Sequence, residues 1–209
     1  AQAALGAAKR RRHSPMLYNS AIDTGSSHTL SLLAELRHAI DAGELRLYLQ
    51  PKIALAGARL VGAEALLRWQ HPVRGLVMPL QFIPFAEQTG IVRPLTLWVL
   101  EECARIWLQL YDHGLRLTLA LNISMHDLLD ADLPAKFDAV LARMRVPAEA
   151  FCLEIAERAL MGDPARAIHA LERLGALGFR LAIDDFGTAW SSVPYLKRLP
   201  VDELKIDHT

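Results

Sequence analysis

Four short apolar runs in this chain each end on a side chain that carries oxygen. Val61 to Ala63 delivers Glu64, Leu117 to Leu121 ends in Asn122, Phe151 to Leu153 delivers Glu154, and Leu181 to Ile183 delivers the adjacent pair Asp184 and Asp185. A further run, Val201 to Ile206, carries Lys205. Strand-like runs separated by helical segments predict a parallel α/β sheet, whose active site lies at the carboxyl ends of the strands in barrels and in open sheets alike. One cluster of hard oxygen ligands is therefore expected. Carboxylates with an amide, and no Cys or His at ligand spacing, suit magnesium or manganese rather than zinc.

The Asp184-Asp185 pair adds a backbone condition. Successive strand side chains point to opposite faces, so the two acids share a site only if the strand ends there and bends. Gly187 is expected to supply that bend. Neighbouring ionised carboxylates repel, and the remedies are a raised pKa on one of them or a cation between them. A capping or turn pair before Phe186-Gly187 is the alternative. Glu64, Glu154 and Asp184 lie inside apolar runs, where an unpaired carboxylate costs several kcal/mol, so a cation accounts for them better.

Composition bounds the class. The 209 residues, 52% of them hydrophobic, can bury a substantial core and match one large domain. Lys plus Arg and Asp plus Glu stand at 23 each, which gives no overall charge for binding nucleic acid or an anionic membrane. Cys103 and Cys152 are far apart, one in a helical pattern and one in a strand, and read as two buried thiols in a reducing compartment. No apolar run approaches the roughly 20 residues of a membrane span. With no signal peptide visible, the chain reads as cytoplasmic, without direct membrane insertion.

In chain order, residues 1–28 read as a linker with a basic run, Lys9 to Arg12. Leu33, Leu36 and Ile40 predict a first amphipathic helix stopped by Gly43. Leu45 to Pro51 and Leu60 to Arg68 read as two strands turning at Gly57, a short link that makes the pair antiparallel. Leu97, Leu100, Ala104, Trp107 and Tyr111 mark one face of a long helix ending near Gly114. Phe137, Val140, Leu141 and Met144 mark another. Asp163-Pro164 opens a helix with Ile168, Leu171 and Leu174 on its buried face and Gly178 as its stop. Six strands are counted, one of them antiparallel.

At Glu64-Ala65-Leu66-Leu67-Arg68-Trp69 the sequence resembles the signature of the EAL family of cyclic di-GMP phosphodiesterases. The likeness continues through Gln70-His71-Pro72, Phe82 to Gly90, Leu121-Asn122-Ile123-Ser124, Leu153 to Glu157, Asp184 to Thr188 and Leu199 to Asp207. It covers residue 29 onward. The resemblance implies a (β/α)8 TIM-like barrel with one antiparallel strand, and a two-metal site, magnesium or manganese, that hydrolyses cyclic di-GMP to linear pGpG. Glu64, Asn122, Glu154 and Asp184 then match metal ligands, with Asp184 and Asp185 serving the second metal. Lys205 matches the lysine that orients the attacking water, and Glu64, Lys205 and Asp185 form the catalytic set. Gln50, Leu66 and Arg68 match substrate contacts, and Glu157 matches the glutamate that steadies the loop after Asp185.

The chain also departs from the pattern. Ala189-Trp190 replaces a usual Gly-Tyr, which costs about 1 kcal/mol if that glycine has positive φ. After Lys205-Ile206-Asp207 the family continues through two more strands carrying another metal-binding glutamate and a substrate-binding glutamine. The resemblance therefore implies a barrel of about six of eight strands, marginal alone, that aggregates, dimerises through the gap or is ordered only with further polypeptide, and whose hydrolysis is impaired. A cyclic di-GMP sensor without turnover is the alternative function. Ala3 to Tyr18 looks like the last helix of a GGDEF domain, so a GGDEF or other sensory domain is expected to precede this one.

Overall fold

The computed structural model describes residues 32, 34–187 and 199–207. Residues 34–41 form helix α1 and Gly43 turns the chain with φ +67°. Strands β1 (Leu45–Ala54) and β2 (Arg59–His71) then pair antiparallel, with Gln50 opposite Glu64 and Lys52 opposite Gly62. The turn between them uses Gly57 and also Ala58, both at positive φ. A three-residue strand β3 (Gly75–Val77), too short to show a period in sequence, adds antiparallel to the far end of β2.

The remaining chain alternates helix and strand. Helices α2 (Pro79–Thr89) and α3 (Val92–Asp112) precede β4 (Thr118–Ile123); the short α4 (Met125–Leu128) and α5 (Leu133–Met144) precede β5 (Phe151–Ala156). A 3-10 turn, Glu157–Met161, leads to α6 (Pro164–Ala176), then β6 (Arg180–Phe186) and, beyond the undescribed segment, β7 (Glu203–Ile206). The Asp163 side chain accepts from the Arg166 N–H and Pro164 occupies the first helical turn, the start its sequence predicts. In α3 the buried stripe runs through Leu95, Val99, Cys103 and Trp107, with Leu100 and Ala104 beside it; Leu97 is only half-buried and Tyr111 is exposed, so both flank the predicted face.

Strand order is β1-β2-β4-β5-β6-β7, with every pair after the first parallel. A sheet that grows in one direction follows barrel winding; a doubly wound sheet reverses its order at a switch point. Among the described residues it is not closed: β1 and β7 are its edges. Yet the sheet coils far enough that Lys52 on one edge lies 3.9 Å from Glu203 on the other. The sheet's outer face, with Leu119, Leu121, Leu153 and Ile155, packs under the helices in the main core. A second cluster gathers α1, α2 and the start of α3 around Trp69 and Phe82, whose rings meet edge to face at 5.7 Å. The inner face holds a separate cluster of small residues, Ala120, Cys152 and Ala182. No helix among the described residues is long and apolar enough to cross a membrane.

Candidate active site

The strand period sorts each run into outward core residues and inward polar ones. On β2, Ala63 and Ala65 face the helices while Glu64 faces inward. On β5, Leu153 and Ile155 flank Glu154, which is 0% exposed. Asn122, Asp184 and Lys205 come inward from β4, β6 and β7. Glu64, Glu154 and Asp184 each offer a carboxylate oxygen, all within 4.8 Å of one another. The Asn122 amide donates to Glu64 Oε1 at 3.0 Å.

Lys205 stands at the centre. Its Nζ lies 3.0 Å from Glu64 Oε2, 2.7 Å from Glu154 Oε2 and 3.0 Å from Asp184 Oδ2. Burial alone lowers a lysine pKa, but the carboxylates of Glu154, Asp184 and Glu64 outweigh it and hold Lys205 above its ordinary range. Burial lifts Glu154 above the usual carboxylate range, opposed by hydrogen bonds from Lys205 and Lys52.

The bend at the aspartate pair differs in detail from its sequence reading. It begins at Asp185 itself, which takes a left-handed φ of +54°, and Gly187 continues it at +101°. Asp accepts that region more readily than most residues because its short polar side chain bonds locally. The Asp185 N–H donates to Asp184 Oδ1 at 2.9 Å, and the β6–β7 register shifts between Ile183 and Phe186. Asp185 is not among the three acids whose oxygens converge. Glu157, buried, accepts from the Gly187 N–H at 3.0 Å and so ties the turn to the end of β5.

The predicted substrate contacts share one inward strip. Gln50 is exposed and sits opposite Glu64; Leu66 is half-buried opposite Tyr48. Arg68 donates to the Leu67 carbonyl and lies 5.8 Å from the Tyr48 ring centre. Ala189-Trp190 and the GGDEF-like Ala3 to Tyr18 lie outside the described residues.

Lys52 is the residue that sequence reasoning missed. Its Nζ donates to Glu154 Oε1 at 2.7 Å. The signal was its place two residues after Gln50 on a strand, which puts it on the same face.

Three carboxylates in mutual reach, one of them fully buried, repel one another unless positive charge lies among them. The oxygen-only donor set fits magnesium or manganese, with Glu64, Asn122, Glu154 and Asp184 as the residues that could hold the ion.

Polar groups drawn from five strands to the carboxyl end of a coiled, mostly parallel sheet define the site of an α/β-barrel enzyme. The chain belongs to the EAL domain family, which matches residues 33–209. It is 38% identical over 200 residues to the bifunctional diguanylate cyclase/cyclic di-GMP phosphodiesterase MucR of Pseudomonas aeruginosa, covering 94% of this chain and 29% of MucR. It is also 38% identical over 199 residues to the cyclic di-GMP phosphodiesterase NbdA of the same organism, covering 95% of this chain and 25% of NbdA. The MucR phosphodiesterase, solved as a cyclic di-GMP complex, superimposes with a TM-score of 0.79 at 40% identity, covering 85% of this chain and 72% of that one. The chain thus spans less than a third of the length of either curated relative.

Proposed function

We propose that this site hydrolyses one phosphodiester of cyclic di-GMP to linear pGpG with magnesium or manganese bound. The observation that carries the reading is the convergence of Glu64, Glu154 and Asp184 within 4.8 Å in a chain of the EAL family. Glu64, Asn122, Glu154 and Asp184 would hold the first cation and Asp184 with Asp185 the second. When bound, such a pair would lower the pKa of a coordinated water and stabilise charge on phosphoryl oxygens.

The chain's own groups supply the rest. Lys205, whose Nζ meets all three carboxylates, would give up their centre to the cation and hold the attacking water beside it, keeping a positive charge near the reacting phosphate. The Arg68 guanidinium suits bidentate contact with a phosphate. Gln50 and Leu66, on the same strip, take the nucleotide. Glu157 keeps the turn after Asp185 in the conformation that presents both aspartates.

The test is turnover of cyclic di-GMP by the longest natural form of the protein, stripped of metal and then resupplied with magnesium or manganese. Linear pGpG is expected only after resupply. Undiminished turnover in chelator would overturn the metal reading, and tight binding without turnover in either metal would point to a sensor.

A further inference from the structure

We infer that Lys52 is a positioning residue for the carboxylate cluster: its ammonium holds one oxygen of Glu154 from beneath and turns the other toward the cation. The inference rests on the metal-dependent reading above.

The two oxygens of Glu154 have separate partners. Oε2 meets Lys205, the same ammonium that meets Glu64 and Asp184, so this oxygen lies on the cluster side. Oε1 accepts from Lys52 at 2.7 Å, and Glu154 is 0% exposed. In this arrangement the ammonium, and not water, satisfies that oxygen. A ligating carboxylate depends on such outer contacts for its rotation about the last side-chain bond.

The fold makes room for this arm. Lys52 sits opposite Gly62, and the inward layer below the acids includes the small residues Ala120, Cys152 and Ala182, with Glu203 beside Ala182 on β7. A long side chain entering from the edge strand β1 can cross that layer where branched residues would block it. Glu203 stands 3.9 Å from Lys52 and is itself 3.1 Å from Arg180, so the ammonium is steadied from the β7 side as well.

Charge and position make opposite predictions. Simple repulsion between Lys52 and a nearby cation means that removing the lysine should tighten metal binding. Loss of orientation means that binding should weaken. The experiment is calorimetric titration of Mn2+ into the metal-stripped, longest natural form of the protein, as wild type, Lys52→Met and Lys52→Arg, with the melting temperature of each metal-free form recorded alongside. Lys52→Met should weaken Mn2+ binding by about 10- to 100-fold, and Lys52→Arg, which keeps a charged donor, should recover most of the loss. Should Lys52→Met fail to fold, Lys52→Gln, uncharged and one bond shorter, carries the same expectation. Equal or tighter Mn2+ binding by the folded variant would overturn the inference, as would a lowered melting temperature with unchanged affinity. A wild type that binds no Mn2+ would overturn both this inference and the metal reading, whereas binding by wild type and variant alike sinks the role of Lys52 alone.

Discussion

Among the described glycines, Gly62 has the closest neighbour for an added Cβ. A Cβ built there would lie 2.5 Å from the Thr118 carbonyl oxygen of the neighbouring strand, where ordinary contact begins at 3.4 Å. Because the obstacle is backbone, Gly62→Ala must part β2 from β4 by about 0.9 Å, and overpacking of this kind costs about 1–3 kcal/mol. For a chain of this size that corresponds to a fall in Tm of about 2–12 °C. The displacement also carries Glu64, two residues on, away from Asn122, with which it now shares a 3.0 Å hydrogen bond. A shift approaching 1 Å at reacting groups costs about 10²-fold in rate. The assay pairs thermal unfolding with turnover of cyclic di-GMP. Gly175→Ala is the control: its added Cβ meets only Leu181 Cδ1 at 3.7 Å, inside helix α6, so it should be neutral or stabilising by about 1 kcal/mol. A Gly62→Ala protein with wild-type Tm and rate would refute the claim that this close approach sets the position of Glu64.

Glu64→Ala and Asp184→Ala should each leave the fold intact, since each removes one of three anchors of Lys205, while turnover falls by more than about 10²-fold, beyond the loss usual for outer contacts. Near-normal turnover by either folded variant would count against the ligand assignment. Calcium, which prefers contacts of about 2.3–2.6 Å against about 2.0–2.1 Å for magnesium, should inhibit; equal rates with both ions would contradict a tightly built site. Burial pushes the thiols of Cys103 and Cys152 up to about 12, so the native protein at pH 8 should resist alkylation and react at both once unfolded. Fast labelling of the native protein at either position would be the contrary result.

What was legible in the sequence follows from period and chemistry. Glu64, Asn122, Glu154 and Asp184 each close or interrupt a strand-length apolar run, and the parallel sheet brings such positions to one end. Residues on well-patterned helices, such as Leu171 and Leu174, declare their buried face in the same way. Strand β3 did not, because three residues carry no period. The turn at Asp185 was assigned to Gly187 alone, since a left-handed aspartate is invisible without the backbone. Lys52 was passed over because the predicted first strand stops at Pro51, whereas β1 runs on to Ala54 and the coiling of the sheet brings this lysine to Glu154.

The central claim is that the acids at the strand ends hold a divalent cation, and anomalous diffraction from a crystal of the protein soaked in Mn2+ tests it most directly. The account predicts a manganese peak bounded by oxygens of Glu64, Asn122, Glu154 and Asp184, with the Lys205 ammonium moved off the centre it now occupies. A crystal with no peak there, and Lys205 still bridging the three carboxylates at saturating Mn2+, would contradict it.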